Sequence, residues 1–578
     1  MASLPLSSTT ISSHSHLSSH PPKLFLAKPP QLISTRFTVS CNASDETSQG
    51  KVDRRNLLLG VGGLYGATNL ISGDAPAALA TPISAPDLAK CTRGTNLNLQ
   101  QPLDVNCCPP PSEKIIDYKL PKVSKPRVRP AAHLVSKDYI AKYEKATELM
   151  KALPADDPRN FMQQANVHCA YCNLTYEQNG DPTKKLQIHF SWLFFPWHRW
   201  YLYFYERILA KLIDDPTFAL PYWNWDNPPG MPMPAYFAKD NSPLNNAKRN
   251  QSHLPTIIPP PLADLLYSSK SSTDPSIIIP TNLTEMYGEM VRNAVNLEDF
   301  YGAPYIVGSD PDPGAGTVER GSHTALHAWV GDPRSPAGED MGNFYSTGRD
   351  PLFFCHHANV DRLWSIWRDL RGSRPKDFPQ SDWLDANFLF YDENAQLVRV
   401  KVRDTLEDVK MGFTYQKVDL PWLKARPKAR VKKSKIASTV KAPKATEVTA
   451  FPVKLDTVIR VLVDRPKTKR SKKDKDKEQE LLVIDGIEVD SSKFVRFDVF
   501  VNDEDDQPGD VIDLAEYAGC YSQVPHKNAV KVKSKIRLGL TELLEDLDVE
   551  DDDQILVSIV PRDGGEDVTI GGVKIIYV

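Results

Sequence analysis

The stretch of sequence that decides the fold is LQIHFSWLFFPWHRWYLYFYE, residues 186–206. Two histidines, His189 and His198, lie in it among Trp, Phe and Tyr, where an imidazole loses its hydration and needs partners for its ring nitrogens. Pro196 suits the first turn of a helix, and the residues from there to Ala210 contain no helix breaker. The stretch therefore predicts a buried helix with His198 near its start.

One explanation of these histidines is structural, since backbone carbonyls can satisfy a pair of core histidines and single-histidine motifs are weak evidence of a site. A second group of histidines further along the chain favours a metal site. Residues 157–172 form an amphipathic stretch, and residues 356–370 read as a good helix. Paired metals in bundle cores are held by ligands on several packed helices. Six of the thirteen histidines fall into two similar sets of three, which are His168, His189 and His198, then His323, His327 and His357.

The ligand types restrict the choice of metal. His323 and His327 are spaced i, i+4, so that they share one helix face and can grip one ion. Imidazoles suit Cu, Zn, Fe or Ni. Neither set contains an obvious bridging carboxylate or an E-x-x-H motif, which argues against a di-iron carboxylate centre and a two-zinc hydrolase. The residues favour a dinuclear copper site, with zinc as the second choice.

The N-terminal residues read as targeting signals. The first 45 residues are rich in Ser, Thr, Leu and Pro, which is typical of a plastid transit peptide, although a plain disordered terminus has a similar composition. Arg54 and Arg55 then precede a short apolar run, and Ala78-Leu79-Ala80 resembles a cleavage site, which together indicate a twin-arginine export signal. We expect the mature protein to begin near Thr81, in the thylakoid lumen.

The composition of the whole chain excludes some classes of protein. Its 578 residues, 41% of them hydrophobic, can bury more than one core. A formal net charge of −3 argues against nucleic acid and anionic membrane surfaces as partners. Beyond the export signal no stretch resembles an integral membrane segment.

The cysteines predict disulfides in the N-terminal part of the mature chain. Of eight cysteines, Cys91, Cys107, Cys108, Cys169 and Cys172 cluster in the sequence. Two disulfides among the first four would leave Cys172 over, and an exported destination permits them. Four cysteines allow three pairings, and the competing hypothesis is a structural zinc site.

The character of the chain changes near residue 423. Residues 424–450 are basic and predict an exposed linker that invites proteolysis. Beyond it, short alternating runs such as residues 457–464 and 494–502 predict a small β-sandwich over residues 451–578. The Lys-rich residues 467–478 are expected to be a solvated hairpin loop between two strands.

Several spaced motifs resemble those of one family. H-x4-F-F-P-W-H-R-x2-L-x3-E (residues 189–206) and D-P-L-F-F-C-H-H-A-N-V-D (residues 350–361) resemble the two copper signatures of the tyrosinase, catechol oxidase and hemocyanin family. HCAYC (168–172), PYWNWD (221–226), DWL (382–384) and FDVFVN (497–502) are similar to motifs of plant polyphenol oxidases, and the resemblance runs from the transit peptide to the C-terminus. It implies a mainly α catalytic domain, in which a helical bundle holds a dinuclear copper site, followed by a small all-β C-terminal domain. The implied organisation is residues 1–45 for the transit peptide, 46–80 for the thylakoid transfer signal, 81–423 for the catalytic domain, 424–450 for the linker and 451–578 for a shielding β-sandwich.

The resemblance also implies roles for single residues. His168, His189 and His198 would hold copper A, and His323, His327 and His357 would hold copper B. His356 is then a neighbour that either hydrogen-bonds to the site or has no role in it. The cysteine matches imply a thioether between Cys172 and His189 and disulfides Cys91–Cys108 and Cys107–Cys169. Phe344 corresponds to a gate over copper B, Glu319 to an acid that holds a water, and Thr324 to a position where many monophenol-active members carry Asn. Asp361 and Glu206 are expected to support the site or pack the helices.

The implied activity is oxidation of o-diphenols to o-quinones with reduction of O₂ to water, by an enzyme made latent until its C-terminal domain is cleaved off. The implied partners are phenolic substrates, O₂, an activating protease at residues 424–450 and the import and Tat-type export machinery. The alternatives are a tyrosinase that also hydroxylates monophenols, a specialised pigment or phenol-coupling synthase, and a non-enzymatic O₂ carrier.

Overall fold

A computed structural model describes residues 81–96, 103–269, 271–427, 446–503, 514–526 and 531–578. The predicted transit peptide and export signal, residues 1–80, lie outside the described residues, as does most of the predicted linker. The helical part and the C-terminal sheets belong to one compact unit. None of the helices in the described ranges combines the length and the apolarity that crossing a membrane requires.

The N-terminal part of the described chain is mainly helical, as the sequence predicts. Seven helices build it: α1 (Lys137–Ala152), α2 (Phe161–Cys172), α3 (Phe194–Leu212), α4 (Pro275–Tyr287), α5 (Leu297–Tyr301), α6 (Thr324–Val330) and α7 (Leu352–Leu370). Two short helices follow, α8 (Ser381–Leu384) and α9 (Asp408–Met411). Small sheets are made by β1 (Gly94–Asn96), β2 (Leu103–Val105), β3 (Ile115–Asp117), β4 (Arg127–Arg129), β5 (Glu177–Gln178), β6 (Asp181–Lys185), β7 (Asn387–Tyr391), β8 (Leu397–Lys401) and β9 (Phe413–Tyr415).

Helix α3 is the predicted buried helix, and it lies at the centre of the core. Every residue from its start to Glu206 is buried, because both its aromatic faces are covered by other elements. Asn160 is the N-cap of helix α2. Its side chain accepts a hydrogen bond from the Met162 N–H group and so satisfies one of the free donors of the first turn. These two helices carry His168 and His198 towards the same point of the core.

The second histidine pair departs from the predicted regular helix. His323 is the last residue of a π-turn, Glu319–His323, and α6 begins only at Thr324. Within the turn Gly321 has φ −101° and ψ −111°, which are not helical values. Single π-turns of this kind are frequent at functional sites. The i, i+4 spacing of His323 and His327 is thus kept across a junction and not along one helix.

The C-terminal part is the predicted β-sandwich. Its strands are β10 (Thr446–Glu447), β11 (Val453–Lys454), β12 (Ile459–Asp464), β13 (Glu480–Asp490), β14 (Val495–Val501), β15 (Tyr517–Gln523), β16 (Lys531–Gly539), β17 (Gln554–Asp563), β18 (Thr569–Ile570) and β19 (Gly572–Tyr577), with the short helices α10 (Lys472–Lys477) and α11 (Thr541–Asp546). One sheet has the order β10-β12-β17-β14-β15. The other has the order β11-β18-β13-β16, and β19 also pairs with β13. The apolar faces of the two sheets enclose a separate core.

The prediction of a hairpin loop at residues 467–478 is wrong. This segment connects β12 to β13, which belong to different sheets, and it contains the short helix α10. Ser471 and Asp474 form a capping box that starts this helix, and its lysines are exposed except Lys475, which is half-buried and pairs with Glu545 and Glu550. The segment therefore crosses from one sheet to the other, although it is solvated as expected.

The structure contains the two disulfides that the family resemblance implied. Cys91 is joined to Cys108 and Cys107 to Cys169. The second disulfide ties the N-terminal arm to α2 one residue beyond His168. Cys172 is buried and lies outside both disulfides.

The two parts pack against each other mainly through β15, β16 and the segments around residues 285–299 and 312–322. Arg292 donates to the Tyr517 carbonyl (2.7 Å), and Asn293 donates to the Ala518 carbonyl (2.9 Å). Arg537 of β16 pairs with Glu298 at 2.8 Å. Polar contacts of this kind fix the position of the sandwich beside the second histidine set.

Candidate metal centre

The first histidine set comes from two helices and the loop between them. His168 lies on α2, His189 precedes α3, and His198 lies in its second turn. Their ring centroids are 5.0 to 5.8 Å apart, and all three residues are at most 2% exposed. One ligand atom of each lies within 4.8 Å of the others, so the three imidazoles can share one metal ion.

The second set forms a similar group on the opposite side. His323 ends the π-turn, His327 lies on α6 and His357 on α7, with ring centroids 4.6 to 5.4 Å apart. The two sets face each other, because the rings of His198 and His357 stack at 4.3 Å. The structure thus brings all six predicted histidines into one buried cluster of the helical core.

Four of the six rings are oriented by backbone carbonyls. The Nδ1 atoms of His168, His198, His323 and His327 lie 2.8 to 3.1 Å from the carbonyl oxygens of Phe344, Phe194, Glu319 and Met341. A carbonyl can only accept, so these contacts place the proton on Nδ1 and leave Nε2 free to bind a metal. Among the described residues, the Nε2 atoms of His168, His198 and His323 have no hydrogen-bond partner.

Burial sets the protonation state of the cluster. It lowers the pKa of His198 to about 3 and the pKa of His327 to about 4, and it lowers the pKa of the other four imidazoles well below the usual 6.5. The six imidazoles are therefore neutral at ordinary pH, which is the form that binds metals.

His356 lies next to the second set. Its ring stacks on that of His323 at 5.5 Å and packs against Trp225 at 5.9 Å. One of its ring nitrogens lies within 4.8 Å of those of His323, His327 and His357, so geometry alone gives four imidazoles on this side. The choice of His357 as the ligand agrees with its position opposite His198, but it remains a prediction.

The entrance of the cavity differs from the expectation for Phe344. Its ring stacks on His189 of the first set at 4.2 Å, whereas the resemblance placed it over the second set. His526, from the loop between β15 and β16, packs against Phe344 at 5.2 Å and against Phe190 at 5.3 Å. The Phe344 N–H group also donates to the Pro525 carbonyl at 3.2 Å. The C-terminal sandwich therefore covers this side of the histidine cluster.

Glu319 and Thr324 lie on the turn that holds His323. The Glu319 Oε1 atom accepts from the Phe190 N–H group at 2.6 Å, and burial raises the pKa of this carboxyl well above its usual range. Its side chain thus connects the second set to the residue that follows His189. The Thr324 hydroxyl donates to the Glu319 carbonyl at 2.7 Å.

Asp361 and Glu206 lie outside the histidine cluster and hold α3 and α7 together. Asp361 accepts from Arg199 at 2.5 Å and from Arg129 at 3.1 Å. Glu206 pairs with Arg129 at 2.9 Å and with Arg127 at 3.2 Å. Burial alone would raise the pKa of Glu206, but the two guanidinium groups lower it, so the carboxylate stays charged. This buried ion network fixes His198 against His357.

Cys172 lies near the backbone of His189. The side chain of Gln187 donates to the Cys172 carbonyl at 2.9 Å and accepts from the His189 N–H group at 3.1 Å. Gln187 therefore bridges the end of α2 to the loop that carries His189. The sulfur of Cys172 is a free thiol in the structure, so the thioether stays a prediction.

Three family profiles cover most of the described chain. The common central domain of tyrosinase matches residues 158–370, the polyphenol oxidase middle domain matches residues 377–428, and the chloroplastic polyphenol oxidase C-terminal domain matches residues 451–577. The first match contains all six histidines, and the third contains His526.

Whole-chain relatives agree with these profiles. A chloroplastic polyphenol oxidase of Malus domestica is 51% identical over 95% of this chain and 94% of its own length. This chain belongs to the plant polyphenol oxidase family. The chloroplastic catechol oxidase B of Solanum tuberosum is 47% identical over 95% of both chains. As a member of this family the chain is an oxidoreductase.

Two solved polyphenol oxidase structures share the whole architecture. Latent apple tyrosinase is 53% identical, with a TM-score of 0.76, and the match covers 80% of this chain and all of that chain. Latent aurone synthase is 44% identical, with a TM-score of 0.80 over 86% of this chain and 99% of that chain. Both matches extend beyond the helical part, and both proteins are described as latent.

Sequence reasoning missed two features of the site. His526 was one of the histidines left without a role, and no local pattern distinguishes it, because its contact with Phe344 depends on how two domains pack. Glu289, which binds the turn before His323, lies 34 residues upstream in a stretch without any motif. A list of charged residues inside predicted buried helices could have drawn attention to Glu289.

Proposed function

We propose that this chain is a dicopper oxidase that converts o-diphenols to o-quinones while O₂ is reduced to water, and that its C-terminal domain keeps it latent. The observation that carries the proposal is the pair of facing three-histidine sets, with His526 of the sandwich packed at their entrance. Membership of the polyphenol oxidase family supports the choice of reaction.

The donor set fits copper. All six proposed ligands are neutral imidazoles, which suit copper, zinc, iron or nickel, and copper is the metal whose redox change the reaction requires. His168, His189 and His198 would hold one ion and His323, His327 and His357 the other. Bound there, the pair supplies binding of O₂ and transfer of electrons from the phenol to it.

The protein residues orient the substrate and accept its protons. Phe344, which stacks on His189, and the neighbouring Phe190 offer aromatic rings on which an entering phenol can stack. Each o-diphenol must lose two protons and two electrons, so two substrate molecules reduce one O₂ to two water molecules. Glu319 is the buried carboxyl beside the site, and burial raises its pKa, which makes it a stronger proton acceptor than an exposed carboxylate.

Latency follows from the position of the sandwich. His526 and Pro525 contact Phe344, so a phenol cannot take that place while the domain is docked. We propose that cleavage within residues 424–450 by a protease releases the domain. The relatives are named chloroplastic, and we propose that this protein is imported into the plastid and then transferred to the thylakoid lumen.

Hydroxylation of monophenols is a second candidate function, because latent apple tyrosinase is 53% identical. The test is oxygen uptake by the copper-loaded, cleaved chain with a catechol and with its matched monophenol. Uptake with the catechol alone supports a catechol oxidase, and uptake with both supports a tyrosinase. Uptake with neither, despite two bound copper ions, would contradict the proposal and favour an oxygen carrier or a narrow synthase.

Thr324 sharpens this choice. Because its hydroxyl is engaged by the Glu319 carbonyl, it does not offer an amide to a water or substrate in the way that Asn would. We expect Thr324→Asn to raise the ratio of monophenol to catechol turnover several-fold, on the order of 1 kcal/mol, with the copper content unchanged. An unchanged ratio would show that position 324 does not set this balance.

A further inference from the structure

The π-turn before His323 is held by a residue with no role in the proposed reaction. Glu289 follows α4, and its Oε1 atom accepts from the Ser322 N–H group at 2.5 Å. Its Oε2 atom accepts from the Ser322 hydroxyl at 2.6 Å. One buried carboxyl thus satisfies both donors of the residue directly before a proposed metal ligand.

Gly321 makes this contact possible. A Cβ atom at Gly321 would lie only 1.8 Å from the Glu289 Oε1 atom, so a side chain there would push the carboxyl away. The non-helical backbone of Gly321 also turns the Ser322 N–H group out of the helical ladder and towards Glu289. The shape of the π-turn and the position of Glu289 therefore depend on each other.

A second carboxyl beside the turn contacts the C-terminal domain. Glu285 lies one helical turn before Glu289, and the carboxyl groups of both residues face Gly321. Burial raises the pKa of both carboxyl groups. The Cys520 thiol of β15 donates to the Glu285 Oε1 atom at 3.6 Å, a normal length for sulfur. Strand β15 thus holds a second carboxyl that lies beside the same turn.

The C-terminal domain also contacts the π-turn directly. The Ser522 hydroxyl of β15 donates to the Arg320 carbonyl. The Arg320 guanidinium in turn donates to the Arg537 carbonyl of β16 at 2.9 Å. The turn is therefore held from one side by Glu289 and from the other by the sandwich.

We propose that Glu289 is a positioning residue for the metal site of His323, and that β15 of the docked C-terminal domain supports the same turn through Cys520 and Ser522. The domain would then act on the second metal site as well as cover the entrance. The inference rests on the proposed function only in taking His323 as a metal ligand. Among the contacts described above, the first histidine set meets the C-terminal domain through Phe344, whose carbonyl accepts from His168 and whose N–H group donates to Pro525.

The test compares Cu(I) affinity at each site in the full-length chain, by titration against a chromophoric chelator. Glu289→Gln leaves one acceptor oxygen for the two Ser322 donors and places an NH₂ group against one of them. We therefore expect Cu(I) affinity to fall about 10- to 100-fold at one site, that of His323, and to stay the same at the other. Glu298→Gln is the matched control. Glu298 is also at the domain interface, paired with Lys535 and Arg537, and we expect no change at either site.

Two milder variants keep the test decisive if Glu289→Gln does not fold. Ser322→Ala removes one of the two hydrogen bonds, and we expect a loss of several-fold at one site. Cys520→Ala should reduce the affinity of the same site by a smaller factor, and Cys520→Ser, which keeps a donor, should restore it. The absorption spectrum of the oxygenated protein should change in the same variants, since the orientation of one imidazole changes.

Unchanged affinity at both sites in Glu289→Gln, or in Ser322→Ala where the first variant does not fold, would overturn the inference. An equal loss at both sites would overturn it too, because it would indicate general destabilisation. The proposed function fails in a different way, namely if the cleaved wild-type chain binds two copper ions and takes up no oxygen with a catechol.

Discussion

The first histidine set rests mainly on helices and meets the C-terminal domain at Phe344, whereas the second set rests on a turn that both domains hold directly. His168 and His198 lie on regular helices, α2 and α3, and the Cys107–Cys169 disulfide anchors the first of these. His323 instead ends a π-turn with Glu289 on one side and Ser522 on the other. Two sets with the same ligands thus differ in what keeps them in place.

The difference shows where regulation can enter the molecule. The first set, held mainly by helices and reached by the sandwich through Phe344, should change less when the domain undocks. A set whose support crosses that interface responds to docking, because each hydrogen bond lost there leaves a buried polar group unsatisfied, at about 1–3 kcal/mol. Three changes to the chain test this contrast.

The largest effect is expected from the ligands of the second set. His357→Phe removes the imidazole that faces His198, and we expect the affinity for one copper ion to fall by more than about 100-fold, which exceeds the usual effect of an outer residue. His356→Phe is the control. It removes a neighbouring imidazole, and the chain should still bind two copper ions after dialysis. If His357→Phe kept two copper ions and His356→Phe lost one, His356 and not His357 would be the ligand.

The next effect concerns the support of the first set. Replacing Cys107 and Cys169 by Ser opens a loop with a sequence separation of 62. The free energy of unfolding of the metal-free chain should fall by about 4 kcal/mol by chain entropy. Because Cys169 adjoins His168, copper binding by the first set should weaken while the second set is unaffected.

The control is the other disulfide. Replacing Cys91 and Cys108, with a separation of 17, should lower the free energy of unfolding by about 3 kcal/mol and leave both metal sites intact. Equal effects of the two pairs on copper binding would contradict this account.

The smallest effect concerns pH and the domain interface. Asp312 accepts from Ser534 of β16 at 3.0 Å, and burial raises its pKa from 3.8 to about 7. The folded chain then binds a proton that the unfolded chain has released, so this group makes the folded state less stable as the pH rises from about 4 to about 7. At about 1.4 kcal/mol for each unit of pKa, this rise lowers the free energy of unfolding by at most about 4 kcal/mol.

Asp312→Asn should remove this pH dependence, and above pH 7 the variant should be more stable than the wild type. The measurement is denaturant unfolding of the metal-free chain at several pH values. Asp310→Asn is the control, because Asp310 is an exposed residue paired with Lys184. A wild type and an Asp312→Asn variant with the same pH profile would show that Asp312 is not protonated in the folded chain.

Much of the architecture could be predicted from local sequence. The aromatic run around His198 and the amphipathic run before His168 specify helices by their periodicity and end signals, and α3 and α2 are found there. The alternating runs of the C-terminal part specify strands for the same reason. The two implied disulfides are present as well. The six histidines meet because each lies on, or next to, an element whose pattern is strong.

The features that could not be predicted depend on contacts between distant residues. The π-turn at Gly321 is stabilised by Glu289, which no local pattern connects to it. The segment 467–478 was expected to be a hairpin because it lies between two strands, but strand patterns do not say which sheet each strand joins. The contact of His526 with Phe344 likewise depends on the docking of one domain on another.

The measurement that tests the central claim most directly is oxygen uptake with a catechol by one copper-loaded sample, before and after limited proteolysis within residues 424–450. The account predicts two copper ions per chain in both states, slow uptake before cleavage, and uptake at least about 10-fold faster afterwards, once His526 no longer covers Phe344. Equal rates before and after verified removal of the C-terminal domain would contradict latency. Two bound copper ions with no uptake in either state would contradict the oxidase itself.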